Sequence, residues 1–227
     1  MKSGLDKILN QLDNRDWFQK DLAKVFEKKK RPVKLINYFY ASWAGECPRL
    51  IQYMMNGLVH DDIDQQSQRR LDNGTYMHKR YGDYFEDIGI LKAREPAFRQ
   101  TMEGVFVSGR GDLIIPDDKE LNILIELKSI NSKGFKEIIS SYREKDFLQW
   151  NLCAKALQFS TGIILYENKD NQDIKYHFVN FNEDKYFQTI KMFKDIDDCN
   201  KRGVIVPKPE ICINPKYCLG RKLCSEK

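Results

Sequence analysis

The stretch Ser108–Ile130 limits what this chain can fold into more than any other. Two apolar runs, Leu113–Ile115 and Leu121–Ile130, flank a five-residue segment, Pro116–Glu120, made of Pro, Asp, Lys and Glu. That pattern is a β-hairpin with a loop longer than the tightest two-residue kind. The second run alternates with period two, placing Leu124, Glu126 and Lys128 on one face and Ile123, Ile125 and Leu127 on the other. With Ile115 opposite Leu121, Asp112 falls opposite Leu124, on the face of Glu126 and diagonal to it. Diagonal neighbours lie about 7–8 Å apart at their backbones, so two carboxylates leaning together could hold one divalent cation, with Lys128 one pleat further along. Asp117 sits in the turn and points away from Glu126.

A carboxylate and a lysine in an otherwise apolar strand need a reason, because unpaired charges on a covered sheet are costly. One reason is an edge or solvated face carrying a Glu–Lys pair; the other is a metal site with a catalytic lysine. The 227 residues, 41% apolar and 31% charged, fit a soluble globular chain with a sizeable core. We expect one domain, 1–227, with a helical part at 1–95, an α/β core at 96–182 and a C-terminal helix and cysteine tail at 183–227. The sequence lacks a run long enough to span a membrane and an apolar signal segment at Met1, so a cytoplasmic protein is expected. A net charge of +5, from 38 basic and 33 acidic residues, permits a nucleic-acid partner without demanding one.

Residues 1 to about 31 are helical in pattern (Leu5, Ile8, Leu9, Leu12, then Trp17, Phe18, Leu22, Val25, Phe26) and end in the basic run Lys28–Arg31. Ser42 is the expected cap of a helix carrying Leu50, Tyr53 and Met54. A polar linker, Asp61–Asp72, leads into a helix with Met77, Tyr81, Tyr84, Phe85 and Ile88, on which His78 sits among polar neighbours. Ala97–Val107 reads as the first strand of a three-strand meander. Lys136–Phe159 reads as one helix containing Gln149, Trp150 and Cys153. Strands at Thr161–Tyr166 and Ile174–Val179 and a helix at Tyr186–Ile196 follow. That order suits an α/β protein with a mixed central β-sheet flanked by helices.

An Asp ending the glycine-containing run Gly109-Arg110-Gly111-Asp112, then Glu126-Leu127-Lys128 on the next strand, resembles the catalytic signature of the PD-(D/E)xK nuclease superfamily. Gly74 to His78 (Gly-x-x-x-His) resembles its RecB-like subset, and Gln149 resembles that subset's Gln-x-x-x-Tyr motif, with Cys153 standing where Tyr is expected. The resemblance implies a restriction-endonuclease-like core that cleaves DNA ends or single strands. Magnesium or manganese would be held by Asp112, Glu126, His78 and the Leu127 carbonyl. Lys128 would position or deprotonate water or stabilise the transition state, and Gln149 would orient Lys128 or the strand. Arg110, Lys145 and Trp150 are candidates to line a single-strand path by charge and stacking.

Three of the six cysteines, Cys212, Cys218 and Cys224, fall at the C-terminus with gaps of five and five residues. Three thiolates plus a distant fourth can enclose a tetrahedral metal or an iron–sulfur cluster. One early cysteine, Cys47 in Cys47-Pro48-Arg49, with three late ones resembles the iron–sulfur RecB-like exonucleases, including the CRISPR-associated Cas-four group. This implies a 4Fe–4S cluster on Cys47, Cys212, Cys218 and Cys224 that joins the N- and C-terminal segments. Zinc, and Cys199 in place of Cys47, stay open as alternatives. An endonuclease on the same core, or a non-catalytic DNA-end-binding subunit with protein partners in recombination or CRISPR adaptation, are the other functional readings.

Overall fold

The computed structural model describes residues 35–59, 65–117, 121–138, 140–209 and 218–225, together with Lys20 and Lys24. The expected helices of residues 1–31 lie outside the described residues apart from those two lysines, and so does Cys212. Eight strands are described: β1 Phe39–Tyr40, β2 Ala93–Arg94, β3 Ala97–Met102, β4 Val105–Arg110, β5 Leu113–Pro116, β6 Asn122–Ile130, β7 Thr161–Asn168 and β8 Ile174–Asn180. The principal helices are α1 Pro48–Met55, α2 Gln65–Asp87, α3 Ser132–Glu137, α4 Glu144–Leu157, α5 Glu183–Lys201 and the short α6 Arg221–Ser225.

The strands form two mixed sheets, β1-β4-β3 and β2-β5-β6-β7-β8. The expected meander is therefore replaced by a split. Residues 97–110 are not one strand but a hairpin, because Glu103 and Gly104 both adopt positive φ (48° and 90°) and turn the chain in two residues. The chain then changes sheet at Gly111-Asp112. Opposite them, Glu95 (φ 46°) and Pro96 bend in concert, with the Glu95 N–H donating to the Asp112 carbonyl at 2.7 Å and the Gly111 N–H to the Pro96 carbonyl at 3.0 Å. A Cβ on Gly111 would lie 2.4 Å from Leu124 Cδ1. Glycine is what lets the chain cross that side chain and present Asp112.

The β5–β6 hairpin forms, but its register differs from the expectation by two residues: Ile115 pairs with Ile123, not Leu121, and Leu113 with Ile125. The loop is anchored by Asp117, whose side chain accepts from the Leu121 N–H at 2.8 Å while its own N–H donates to the Leu121 carbonyl. A shift of two keeps every side chain on its predicted face. Continued one residue beyond the last pair, Leu113 with Ile125, this register sets Asp112 opposite Glu126 instead of Leu124.

One face of the five-stranded sheet is covered by α2, where Met77 and Tyr81 pack on Leu113, Ile125, Leu127 and Leu165. The other carries the larger core, with Leu124, Ile164 and Tyr166 against Trp150 and Leu152 of α4 and Ile190 and Phe193 of α5. Helix α4 touches strands of both sheets. Several boundaries moved. The stretch expected to be a polar linker is helical from Gln65 onward, the first turns of α2. Ser42 lies in the 3₁₀ turn Ala41–Trp43, and Cys47 occupies the N-cap of α1, followed by Pro48. The single helix expected over 136–159 is broken into α3 and α4. Asn131 caps the first, and the Arg143 N–H is given to the Tyr166 hydroxyl at 3.0 Å just before the second begins. Helix α5 is longer than expected because Asn182 caps it, accepting from the Lys185 N–H. Among the described residues no helix is long and apolar enough to cross a membrane.

Candidate active site

Strand β6, α4 and the Gly111-Asp112 crossover converge on one buried polar cluster. Asp112 and Glu126 are buried, Glu126 at 1% exposure. The Asp112 carboxylate accepts from the Leu127 N–H at 2.6 Å with one oxygen, and its other oxygen lies 3.3 Å from His78 Nδ1 on α2. Glu126 Oε1 receives Lys128 Nζ at 2.7 Å and the Gln149 amide N–H at 2.6 Å. Lys128 also donates to Gln149 Oε1 at 3.0 Å. Half-buried Gln149 thus bridges the acid and the amine with its two ends. Glu126 Oε2 is buried with no hydrogen-bond partner.

The electrostatics follow from this crowding. Burial, then the neighbouring Asp112 charge, push the Glu126 carboxyl up to about 7, against the pull of Lys128. Burial opposes the Lys128 charge, but Glu126 and Asp146 outweigh it and raise its pKa, so Lys128 is an ammonium. Burial likewise opposes protonation of His78, and the Asp112 bond more than compensates, leaving its pKa raised. An unpaired carboxylate oxygen in a site this dry costs free energy unless a cation meets it. That orphaned atom, beside a second carboxylate and an imidazole, suits a hard divalent ion. Among the described residues no three His, Cys, Asp or Glu side chains already form a metal cage. The Asp112 oxygens and Glu126 Oε1 are engaged by His78, Leu127, Lys128 and Gln149.

The residues expected to contact a strand separate. Arg110 and Lys145 are exposed and paired with acids, Arg110 with Glu95 at 2.8 Å and Lys145 with Glu46. Trp150 is a correction. It is fully buried, stacked on Phe147, and its indole N–H donates to the Leu124 carbonyl at 3.1 Å. Gly162 makes room for it, since a Cβ there would lie 2.6 Å from the indole nitrogen. Trp150 joins helix to sheet instead of stacking on bases. Cys153, in the place of the motif's Tyr, is buried, with its Sγ 3.6 Å from the Arg110 carbonyl.

Cys47, Cys218 and Cys224 line one cavity of about 150 Å³ together with Arg49, Leu50, Tyr53 and Lys208. Arg49 Nη1 lies 3.6 Å from Cys224 Sγ, and its Nε donates to the Val206 carbonyl. Cys199 is buried in α5 and does not line this cavity. Asp146 was missed from sequence. It stands 3.9 Å from Lys128 Nζ, and its position three residues before Gln149 on one helix face was the available signal.

These elements define an α/β protein of two mixed sheets flanked by helices, with an acidic and lysine-bearing cluster at the junction of the sheets. No family model matches the sequence, and no curated protein matches it. Among solved structures the chain is similar to SSO0001, with a TM-score of 0.58 at 16% identity over 93% of this chain and 96% of that one. That likeness is one of fold. Weaker matches are the alkaline exonuclease LHK-Exo from Laribacter hongkongensis (TM-score 0.49, 12% identity, 74% of this chain and 94% of that one) and the same enzyme in complex with dAMP (TM-score 0.46, 13% identity, the same coverage).

Proposed function

We propose that this chain is a metal-dependent DNA exonuclease that hydrolyses phosphodiesters at DNA ends or on single strands. The observation that carries the reading is the buried, partnerless Oε2 of Glu126, in a cluster where Asp112 meets His78 and Lys128 meets the other Glu126 oxygen. Asp112, Glu126 and His78, with the Leu127 carbonyl, would hold magnesium or manganese. When bound, such an ion lowers the pKa of its water and offsets charge on the phosphoryl oxygens. Lys128, kept as an ammonium, orients the attacking water and stabilises charge on the phosphoryl group; it is the wrong protonation state for a base. Gln149 holds Lys128 at the length and angle this requires. Arg110 and Lys145 exchange their exposed acidic partners, surface pairs worth about 1 kcal/mol or less, for backbone phosphates. Cys47, Cys218 and Cys224 lining one cavity favour the 4Fe–4S cluster, with zinc as the alternative; Cys212, its expected fourth ligand, lies outside the described residues. Such a centre would pin the C-terminal tail to α1.

The test is incubation of end-labelled single-stranded, duplex and circular DNA with magnesium or manganese. Linear substrates are degraded from their ends, and Lys128→Ala abolishes this while leaving DNA binding intact. Circular DNA cut as fast as linear makes the chain an endonuclease. Tight binding to ends with no cleavage under either metal makes it an end-binding subunit.

A further inference from the structure

Lys128 has two carboxylates within reach, and only one was visible in the strand pattern. Its Nζ lies 2.7 Å from Glu126 Oε1 and 3.9 Å from Asp146 Oδ1, and it donates to Gln149 Oε1 at 3.0 Å. Asp146 is held in place from below. The buried Tyr166 hydroxyl donates to Asp146 Oδ2 at 2.8 Å and itself accepts the Arg143 N–H at 3.0 Å. Tyr166 is also the register partner of Lys128 across β6 and β7, so this relay ends directly beside the amine. Oδ2 is thereby occupied and Oδ1 is turned to Lys128. Asp146 further sits in the first turn of α4, where a negative charge is favoured.

We propose that Asp146 is a positioning residue for Lys128: it accepts the ammonium when Glu126 turns to a divalent cation, which makes room for that cation. The proposal rests on the metal-dependent reading above. In the arrangement seen here Lys128 occupies Glu126 Oε1, so a cation drawn to the free Oε2 would share its carboxylate with an ammonium that repels it. A buried ammonium deprived of Glu126 with no second partner would be costly. Asp146 supplies that partner, and Gln149 keeps one bond to Lys128 in either position.

A merely structural Asp146, tying α4 to β7 through Tyr166, makes a different prediction, and a double-mutant cycle separates them. Magnesium and manganese affinities are measured by calorimetry without DNA for the full chain, Asp146→Asn, Lys128→Met and the double variant. Asp146→Asn keeps an oxygen for the Tyr166 hydroxyl and loses the charge. The expected result is cation binding weakened about five-fold or more by Asp146→Asn in the parent chain and unchanged in the Lys128→Met background. Tyr166→Phe, which leaves Asp146 charged but unheld, weakens binding in the same direction and again only when Lys128 is present. An equal loss in both backgrounds, or no loss in the parent, overturns the proposal. If the parent chain binds cations but cleaves no DNA, the nuclease reading fails and the cycle still decides Asp146. If the parent binds neither cation, both fail.

Discussion

Replacing Glu126 with Gln should make the metal-free protein more stable and inactive at once. The folded state raises the Glu126 carboxyl from 4.5 to about 7 through burial and the Asp112 charge, net of the attraction from Lys128. Because the folded pKa is raised, the protonated acid is favoured by folding. Its contribution is complete below the ordinary value and is lost as pH climbs towards the folded one. At pH 8 the ionised carboxylate therefore costs about 3 kcal/mol relative to the neutral form, at about 1.4 kcal/mol per tenfold change in proton affinity. At pH 5 the cost is about 1 kcal/mol or less. Glu126→Gln removes the charge while keeping an oxygen for Lys128. Urea unfolding in the presence of chelator at pH 8 should show the variant more stable by about 2–3 kcal/mol, a gap that closes at pH 5; in melting temperature each kcal/mol amounts to about 2–4 °C for a chain of this size. Saturating magnesium should reverse the order, because it stabilises only the parent. A parent as stable as Glu126→Gln at pH 8, or a gap independent of pH, would refute the reasoning.

Two further outcomes are expected. Trp150→Phe removes the indole bond to the Leu124 carbonyl and leaves a void in the core, so it should cost about 1–3 kcal/mol by denaturant unfolding with DNA affinity unchanged. Lost DNA binding at full stability would return Trp150 to the strand path. Protein purified anaerobically should be brown, absorb near ~400 nm and contain iron and sulfide. Cys47→Ser should lose the colour and Cys199→Ser keep it, whereas a colourless parent with stoichiometric zinc refutes the cluster.

The centre of the candidate site was legible because Glu126 and Lys128 lie on a strand, where period two fixes faces without knowledge of the partner. Glu126 and Lys128 share a face in any register, and the two-residue shift of the hairpin still leaves Asp112 beside them, its carboxylate accepting from the Leu127 N–H. The loop from Asp117 to Leu121, which sets that register, is not encoded by the flanking apolar runs. The hairpin at Glu103-Gly104 was hidden because Glu is an unusual choice for a positive-φ turn position. The break between α3 and α4 depends on a bond from Arg143 to Tyr166, and no local pattern reports a contact 23 residues away. Trp150 carried an ambiguous signal. An aromatic beside a functional glutamine suits stacking or core packing, and only the fold shows Gly162 opening a place for it. Cys47 could be weighed against Cys199 only once α1 and the segment 218–225 were seen lining one cavity.

Everything proposed for this site depends on Asp112 and Glu126 sharing one hard cation. Crystals grown with manganese and measured for anomalous scattering test that directly. One manganese peak within about 2–2.5 Å of an oxygen from each carboxylate, with Lys128 displaced from Glu126, is the predicted result. Manganese bound elsewhere, or both carboxylates still held by Lys128, Gln149 and His78 at saturating metal, would contradict it.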